Sequence, residues 1–351
     1  MSAIVEKLHE ILNIKNNIKQ AIRDKGVDMP DNTRFANYPD MITSIEDKYT
    51  EGYDNGYANG YNDGINNGGS GGSEGGDSYY RALFNQRTDN GNNMRSLFYE
   101  CPAMELDLSN LDTNNVTNIN HMFYGCNNLT TLDVSGFNIS NINTLSYIFS
   151  SCTSLSEIIG LNDWNTTNVN TMDSVFYHSG ISSLDLSSWD VSNVSTMTSV
   201  FSECRNLSYL NLTGWDTRNV TNMSYMFAYM QSEGLPTLDL SHFYTDNLTN
   251  ACGMFNWCNY LQKLDIRNFD LTPKDDNEVD ISSMFEGCDN LRTLHLNNCN
   301  RKTISRIIND SSLPLGQAFV DGEPVARQII CKEINAADLT VPDGWEFVFI
   351  N

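Results

Sequence analysis

One motif, an apolar residue followed by Phe-x-x-Cys, recurs through the middle of this 351-residue chain and constrains its fold more than any other feature. Its copies are Phe98/Cys101, Phe123/Cys126, Phe149/Cys152, Phe201/Cys204, Phe255/Cys258 and Phe285/Cys288, with Phe176/Ser179 and Phe227/Met230 as copies that lack the cysteine. Successive anchor phenylalanines lie 25 to 30 residues apart. Repeats of this length are typical of solenoids, in which each unit packs on its neighbours. We therefore predict eight stacked coils.

Between the anchors lies a segment of alternating polarity. Its copies are Leu106–Leu108, Leu132–Val134, Leu184–Leu186, Leu210–Leu212, Leu238–Leu240, Leu264–Ile266 and Leu294–Leu296. The alternation predicts a short strand in each coil, paired in parallel with its neighbours. An Asn-apolar pair follows, at Asn115, Asn141, Asn168, Asn193, Asn219 and Asn247, and we expect these amides to bond backbone groups at a corner.

The Met-x-x-Met-Phe residues of the anchor have helical spacing, so we predict a short helix on the side opposite the strands. The fold class is then an α+β repeat solenoid, leucine-rich-repeat-like, with parallel strands and short helices. Residues 79–300 form the solenoid, and their first part forms an N-terminal cap. Residues 301–351 depart from the period and are expected to cap the other end with a helix and a final strand.

The repeats closely resemble those of bacterial BspA-like leucine-rich-repeat surface proteins. The shared pattern is Val-Thr-Asn-Met-Ser-x-Met-Phe-x-x-Cys, followed by Leu-x-x-Leu-Asp-Leu-Ser-x-Trp-Asp. The resemblance covers residues 97–300 and implies an adhesin rather than an enzyme.

The first 48 residues predict a helical attachment and oligomerisation module. Its apolar residues follow a heptad-like spacing at Ile4, Leu8, Ile11, Ile18 and Ile22. Isoleucine at both seam positions favours a trimer over a dimer. The alternative is a small helical hairpin that packs on its own second helix. Residues 12–35, with Lys25-Gly26-Val27, are also similar to a short module near the ends of phage tail and fibre proteins.

Residues 49–78 predict a linker. Tyrosine and glycine recur every four residues in its first half, and Gly/Ser-rich sequence follows. The first half is either a semi-ordered tether or a tight contact between chains, and the second half is flexible.

Charge excludes one class of partner. Residues 97–300 contain 6 Lys or Arg against 23 Asp or Glu, and the whole chain has a net charge of −23. Such a surface repels phosphate backbones, so we expect no nucleic-acid partner. No apolar run is long enough to predict membrane insertion, and the first ten residues do not look like a signal peptide.

Nine cysteines raise the question of disulfides or metal. Six of them share one repeat position, which Ser179 and Met230 occupy in the two remaining repeats. Because the position does not require cysteine, a buried ladder of small residues is the preferred interpretation. No Cys-x-x-Cys pair occurs, and we expect no metal and no cofactor. A row of strand aspartates, Asp107, Asp133, Asp185, Asp239 and Asp265, is expected to be solvated, with a bound cation as the alternative.

Two sets of aromatic residues are candidates for ligand binding. Phe137, Trp164, Trp189, Trp215 and Phe243 share one phase with Leu111 and Cys299, which favours a core column over a carbohydrate-binding face. Tyr124, Tyr177, Tyr229 and Trp257 lie at variable positions beside the anchor phenylalanine. Because the repeat leaves variable positions to solvent, these four residues are the predicted ligand-binding set.

The leading hypothesis is a phage virion protein, a head or tail fibre that presents its repeats to a host-surface glycan or protein. Its N-terminus would contact other virion proteins, and assembly would occur in the host cytoplasm. The alternative is a bacterial cell-surface BspA-like adhesin. A surface-glycan depolymerase is third, because no catalytic motif is present; we predict no enzymatic activity.

Overall fold

The computed structural model describes residues 92–109, 111–272, 278–320 and 322–350. The chain divides into two units, residues 1–79 and 80–351, and every described residue belongs to the second. The predicted module of residues 1–48, with its seam of Ile4, Leu8, Ile11, Ile18 and Ile22, lies outside the described residues, as does the linker of residues 49–78. Both stay predictions.

Short parallel strands form one side of the solenoid, as the alternating segments predicted. They are β1 (Thr131–Asp133), β2 (Glu157–Ile159), β3 (Ser183–Asp185), β4 (Tyr209–Asn211), β5 (Thr237–Asp239), β6 (Lys263–Asp265) and β7 (Thr293–His295). Leucines pair with leucines across coils, as in Leu184 with Leu210 and Leu264 with Leu294. The predicted strand at residues 106–108 is absent, since none of the described backbone bonds joins it to β1 in a ladder.

The opposite side is built from turns, and the predicted short helices are wrong. In the fifth coil the N–H groups of Met197, Ser199, Phe201 and Glu203 donate to carbonyls of the next coil, at 2.8 to 3.0 Å. The N–H groups of Ser202 and Cys204 bond three residues back in their own coil, and that of Thr198 donates to Asp173 Oδ1 in the preceding coil. A helix needs every N–H for its own chain. Here half of them join neighbouring coils, so no helix forms.

Left-handed backbone conformations also exclude a helix on this side. Each coil has two residues of positive φ, two positions before and two positions after the anchor phenylalanine. In the second coil these are His121 at 57° and Gly125 at 71°. The helical spacing of Met122 and its neighbours arises because consecutive turns, like a helix, return side chains to the core every three or four residues. Among the described repeat residues, the one helix is a 3-10 turn at Leu161–Asp163.

Two aromatic columns fill the core. The eight anchor phenylalanines are at most 3% exposed, and neighbouring described rings stack at 5.3 to 5.8 Å between centroids. The second column, Phe137, Trp164, Trp189, Trp215 and Phe243, is also buried, which confirms the core interpretation. The indole N–H of Trp189 donates to Leu161 O at 2.9 Å, and Trp164 and Trp215 bond the preceding coil in the same way.

Polar side chains close the corners. Asp185 Oδ1 accepts the N–H of Ser187, two residues on, at 3.0 Å, and other corners repeat this turn. It recurs with Asp133, Asp239, Asp190, Asp216, Asn138, Asn165, Asn222, Asn250 and Asp280 as acceptors. The predicted asparagine ladder is confirmed: Asn193 Nδ2 donates to Thr167 O in the preceding coil at 2.8 Å. Asn141, Asn168, Asn219 and Asn247 do the same.

The cysteines are buried, as predicted, but they also have fixed partners. The Cys204 thiol donates to Phe176 O in the preceding coil, with 3.0 Å between sulfur and oxygen. Cys126, Cys152, Cys258 and Cys288 bond the preceding anchor carbonyl in the same way. Of the nine cysteines, eight are buried and Cys252 is half-buried. The ladder is therefore a hydrogen-bonded element of the fold.

The C-terminal residues cap the solenoid as expected. They comprise α1 (Arg301–Asp310), β8 (Ala318–Val320), β9 (Glu323–Val325), β10 (Arg327–Lys332), α2 (Glu333–Ala336) and β11 (Trp345–Ile350). Strands β10 and β11 continue the sheet of β5, β6 and β7 in parallel. Buried Arg327 donates to the carbonyls of Asp289, Leu291 and Gly316, which fastens the cap to the last coil.

Candidate functional site

The turn side presents the most variable side chains. We define the turn face as the residues two before, one after and two after each anchor phenylalanine. The first and third of these positions have left-handed backbone, which non-glycine residues occupy at a cost of roughly 1–2 kcal/mol. Main-chain bonds hold this face together, so the outward side chains can differ between coils without loss of the ladder.

At the N-terminal end of the turn face, aromatic rings cover one another. Tyr99 and Tyr124 stack at 5.0 Å between centroids with 9° between planes, and His121 and Tyr147 stack at 4.6 Å and 12°. Burial lowers the pKa of His121, and Arg95 lowers it further. We call these four residues the N-terminal stack. Tyr124, a predicted ligand residue, is half-buried within it and has a ring face occupied.

Tyr177, another predicted ligand residue, is also half-buried and engaged. Its hydroxyl donates to Glu203 Oε1 at 3.0 Å, and Glu203 is paired with Arg205 at 3.1 Å. Burial raises the pKa of Tyr177, and its hydrogen bond to Glu203 raises it further. Tyr177 therefore joins the fourth and fifth coils and offers less free surface than the sequence indicated.

The remaining two predicted residues, Tyr229 and Trp257, are exposed, and the structure adds Tyr225 beside them. Their exposed fractions are 36%, 41% and 40% in that order. All three have left-handed backbone, with φ of 57°, 56° and 56°. No other aromatic ring stacks on them in the part of the chain that the structure describes. We call these three residues the C-terminal patch.

Glycine in the next coil makes room for two of these rings. A Cβ atom on Gly253 would lie 2.4 Å from Cε1 of Tyr225, and one on Gly287 would lie 2.8 Å from Cδ2 of Trp257. Each ring thus rests against backbone of the following coil. Sequence reasoning missed Tyr225 because it considered only the positions after the anchor. The signal was present, since His121 and Tyr147 share its phase and Gly253 follows it by one repeat.

Acidic side chains flank the C-terminal patch, and the nearest described cations, Arg205 and Arg306, are paired with Glu203 and Asp310. No Lys or Arg occurs between Arg218 and Lys263. The Trp257 N–H donates to Glu286 O at 2.7 Å, which places that acidic residue in the adjacent coil. A hydrogen bond with Cys252 raises the pKa of Tyr225, and Asp280 adds to the effect.

The strand aspartates serve the fold. Hydrogen bonds from Ser135 and Ser187 hold the pKa values of Asp133 and Asp185 below the ordinary range. Asp265 departs from the predicted solvated row, because it is only 5% exposed and forms an ion pair with Arg267. Across the described ranges, no group of three or more His, Cys, Asp or Glu side chains is arranged to hold a metal ion. Nor does any helix there have the length and apolar character to span a membrane.

Comparison with known proteins identifies a repeat family. The model of the family described as "Mycoplasma protein of unknown function, DUF285" matches residues 81–183, 156–234 and 178–299. Together these ranges cover more than half of the chain. None of them includes residues 1–80, so the similarity of residues 12–35 to phage modules stays a prediction. No curated protein matches the chain.

Two solved structures are among the similar folds. One is a leucine rich cell surface protein from Faecalibacterium prausnitzii A2-165, with 15% identity and a TM-score of 0.30, covering 68% of this chain and 64% of its own. This chain thus spans less than two thirds of that protein's length. The other is an internalin from Listeria monocytogenes str. 4b F2365, with 15% identity and a TM-score of 0.15. The match covers 68% of this chain and 81% of the internalin chain.

Proposed function

Because this chain belongs to the family described as "Mycoplasma protein of unknown function, DUF285", whose description names no activity, we propose a function from the solenoid itself. The chain is an adhesin-like recognition protein, and its turn face binds a ligand on a cell surface. Binding rather than catalysis is proposed, since the described strand aspartates act as corner acceptors.

The C-terminal patch is the observation that carries this proposal. At its left-handed positions, other coils have Gly, Ser, His or Glu, apart from Tyr147, whose ring stacks on His121. Glycine adopts such a backbone most easily. Bulky aromatic residues there are unfavourable for the backbone and remain exposed to water. Folding therefore does not explain Tyr225, Tyr229 and Trp257, whereas contact with a ligand does.

Two kinds of protein would use such a binding face, and both bind a ligand on a cell surface. A bacterial cell-surface adhesin is favoured by the resemblance of residues 97–300 to BspA-like repeats. A phage head or tail fibre is the second candidate, and the similarity of residues 12–35 to phage modules supports it. In that setting residues 1–48 would attach to other virion proteins and form a trimer. In both settings the partner of the turn face is a surface glycan or protein.

The test is cell binding by the purified, fluorescently labelled full chain, measured by flow cytometry on cultured epithelial cells and on a panel of bacteria. The patch variant Tyr225→Ser/Tyr229→Gly/Trp257→Gly uses residues that the chain itself has at these phases, so it should fold normally. The control, Tyr124→Ser/Tyr147→Ser, removes rings from the N-terminal stack.

We expect the patch variant to lose binding and the control to keep it. Binding to epithelial cells supports the adhesin, whereas binding restricted to certain bacteria supports the fibre. Equal binding by a well-folded patch variant, or no binding to any cell by the unmodified chain, would overturn the proposal.

A further inference from the structure

The C-terminal patch and the N-terminal stack differ in what their rings still offer. In the stack, rings of adjacent coils already cover each other. In the patch, Tyr225 and Trp257 rest on Gly253 and Gly287 and are otherwise about two fifths exposed. We propose that the C-terminal patch binds an uncharged glycan, whose sugar rings stack on Tyr225 and Trp257. This rests on the proposed function and names the ligand class of its site.

The chemistry of an aromatic face selects such a ligand. The face carries a negative partial charge and attracts groups with a positive edge. The C–H groups on one side of a pyranose ring present such an edge, and stacking removes apolar surface from water. Contact with the backbone at Gly253 and Gly287 holds both rings in place, so a ligand does not have to order them.

Polar groups beside the patch suit sugar hydroxyls. Tyr225 Oη lies 3.6 Å from Cys252 Sγ, and Ser282 Oγ lies 3.2 Å from the same sulfur. Ser282 in turn donates to Asp280 Oδ1 at 2.7 Å. This chain of hydroxyl, thiol and carboxylate groups begins at the Tyr225 hydroxyl. Both donors and acceptors are therefore available at the place where hydroxyl groups of a stacked sugar would lie.

Charge excludes acidic glycans. Asp280 and Glu286 lie in the eighth coil, whose Gly287 supports Trp257, and the chain has no Lys or Arg from residue 219 to residue 262. The nearest described cations, Arg205 and Arg306, already pair with Glu203 and Asp310, so a carboxylate on a sialic or uronic acid would meet like charge without a free cationic partner. Hexoses and N-acetylhexosamines carry no charge, and they are the expected residues.

The experiment uses the labelled full chain on an array that carries neutral hexose and N-acetylhexosamine oligosaccharides beside sialylated and uronic-acid ones. Affinity for the best neutral oligosaccharide is then measured by calorimetry. Removing a stacking ring in Trp257→Gly should weaken binding about tenfold or more, whereas Trp257→Phe keeps an aromatic face and most of the affinity. Tyr124→Ser is the control and should leave the affinity unchanged.

Three results would overturn the glycan inference. They are no binding to any neutral oligosaccharide, preference for anionic ones, and equal affinity of Trp257→Gly and the unmodified chain. If the array is negative while the patch variant still loses cell binding, the ligand is a protein and the proposed function stands. If cell binding also survives in the patch variant, the proposed function fails as well.

Discussion

The two long sides of the solenoid join successive coils in different ways. On the strand side, the described strands fall into separate groups, β1–β2, β3–β4 and β5–β6–β7, the last of which continues into the cap. On the turn side, main-chain bonds join each coil to the next from Met94 in the first coil to Phe285 in the eighth. The more variable side is thus the one with the more continuous ladder.

This difference teaches that sequence variation does not mark loose structure. The turn-side ladder uses only N–H and C=O groups, which every residue but proline provides. The strand side relies more on particular side chains, such as Trp215, whose indole donates to Leu186 O at 2.9 Å. Positions on the turn face are therefore free to vary for recognition, and the following experiments test the contrast between the two sides.

Ser199→Pro should have the largest effect. It removes the N–H that donates to Ser224 O at 3.0 Å, and proline cannot adopt the φ of 55° found there. We expect a loss of about 3 kcal/mol or more in the free energy of unfolding, measured by denaturant titration. Ser199→Gly is the control and should change stability little, because it keeps the N–H and adopts positive φ. A similar loss in both variants would contradict the role of the ladder.

Trp215→Phe tests the strand side and should cost about 1–1.5 kcal/mol, because Leu186 O loses the indole donor and keeps only the Trp189 N–H. Phenylalanine itself suits this phase, as Phe243 shows. In that coil His242 Nε2 lies 2.8 Å from Leu212 O, which also accepts the Trp215 N–H, and so takes the place of the indole. His242→Ala should therefore cost a comparable amount. Full stability in both variants would show that these side-chain bonds are dispensable.

Cys204→Ala removes the thiol that bonds Phe176 O and should cost about 1 kcal/mol, with Cys204→Ser closer to the unmodified chain. Ser179 already occupies this phase in the preceding coil. Thermal unfolding of both variants measures the difference. Equal losses would mean that sulfur volume, not hydrogen bonding, stabilises the ladder.

The rate at which the thiols react with an added reagent tests the burial of the same cysteine ladder. Burial raises the pKa of Cys204 to about 12 and that of Cys331 to about 11, so neither forms a thiolate at pH 8. In the native protein, half-buried Cys252 should react first, and after denaturation without reductant all nine thiols should be counted. Finding four disulfides instead would indicate an exported, oxidised protein.

Acid should have the smallest effect. The folded-state pKa values of Asp133, Asp185 and Asp280 lie below 3.8, because serine groups bond each carboxylate. Their stabilisation is complete above that value and is lost as the pH falls through the lowered pKa. We expect a slight fall in melting temperature below pH 4. Asp185→Asn keeps the acceptor, as Asn211 does at this phase, and should reduce the pH dependence.

The sequence predicted those features of the fold that recur as particular side chains in successive coils. Leu184 in its strand, Asn193 in its ladder and Trp189 in its column follow from period and polarity. The turn side could not be predicted in the same way, because consecutive turns and a helix return apolar residues to the core at similar intervals. The sign of φ distinguishes them, and only glycines such as Gly125 and Gly287 hinted at it.

Two of the three residues of the C-terminal patch could likewise be predicted. Tyr229 and Trp257 were identified because the residue at their repeat position differs between coils, and both are exposed. This variation could not show that Tyr124 stacks on Tyr99 of the preceding coil or that Tyr177 is held by Glu203, since both contacts cross coils.

The bonds between coils also have a direction. Turn-side N–H groups donate towards the C-terminus, whereas the Cys204 thiol, the Asn193 amide and the Trp215 indole donate towards the N-terminus. A coil can therefore be duplicated or deleted within the stack and still meet both kinds of neighbour, lengthening or shortening the turn face by one step. The two ends are not interchangeable. The last coil needs a cap that supplies acceptors, as Ser311 O does for Phe285, and this cap could not serve at the first coil.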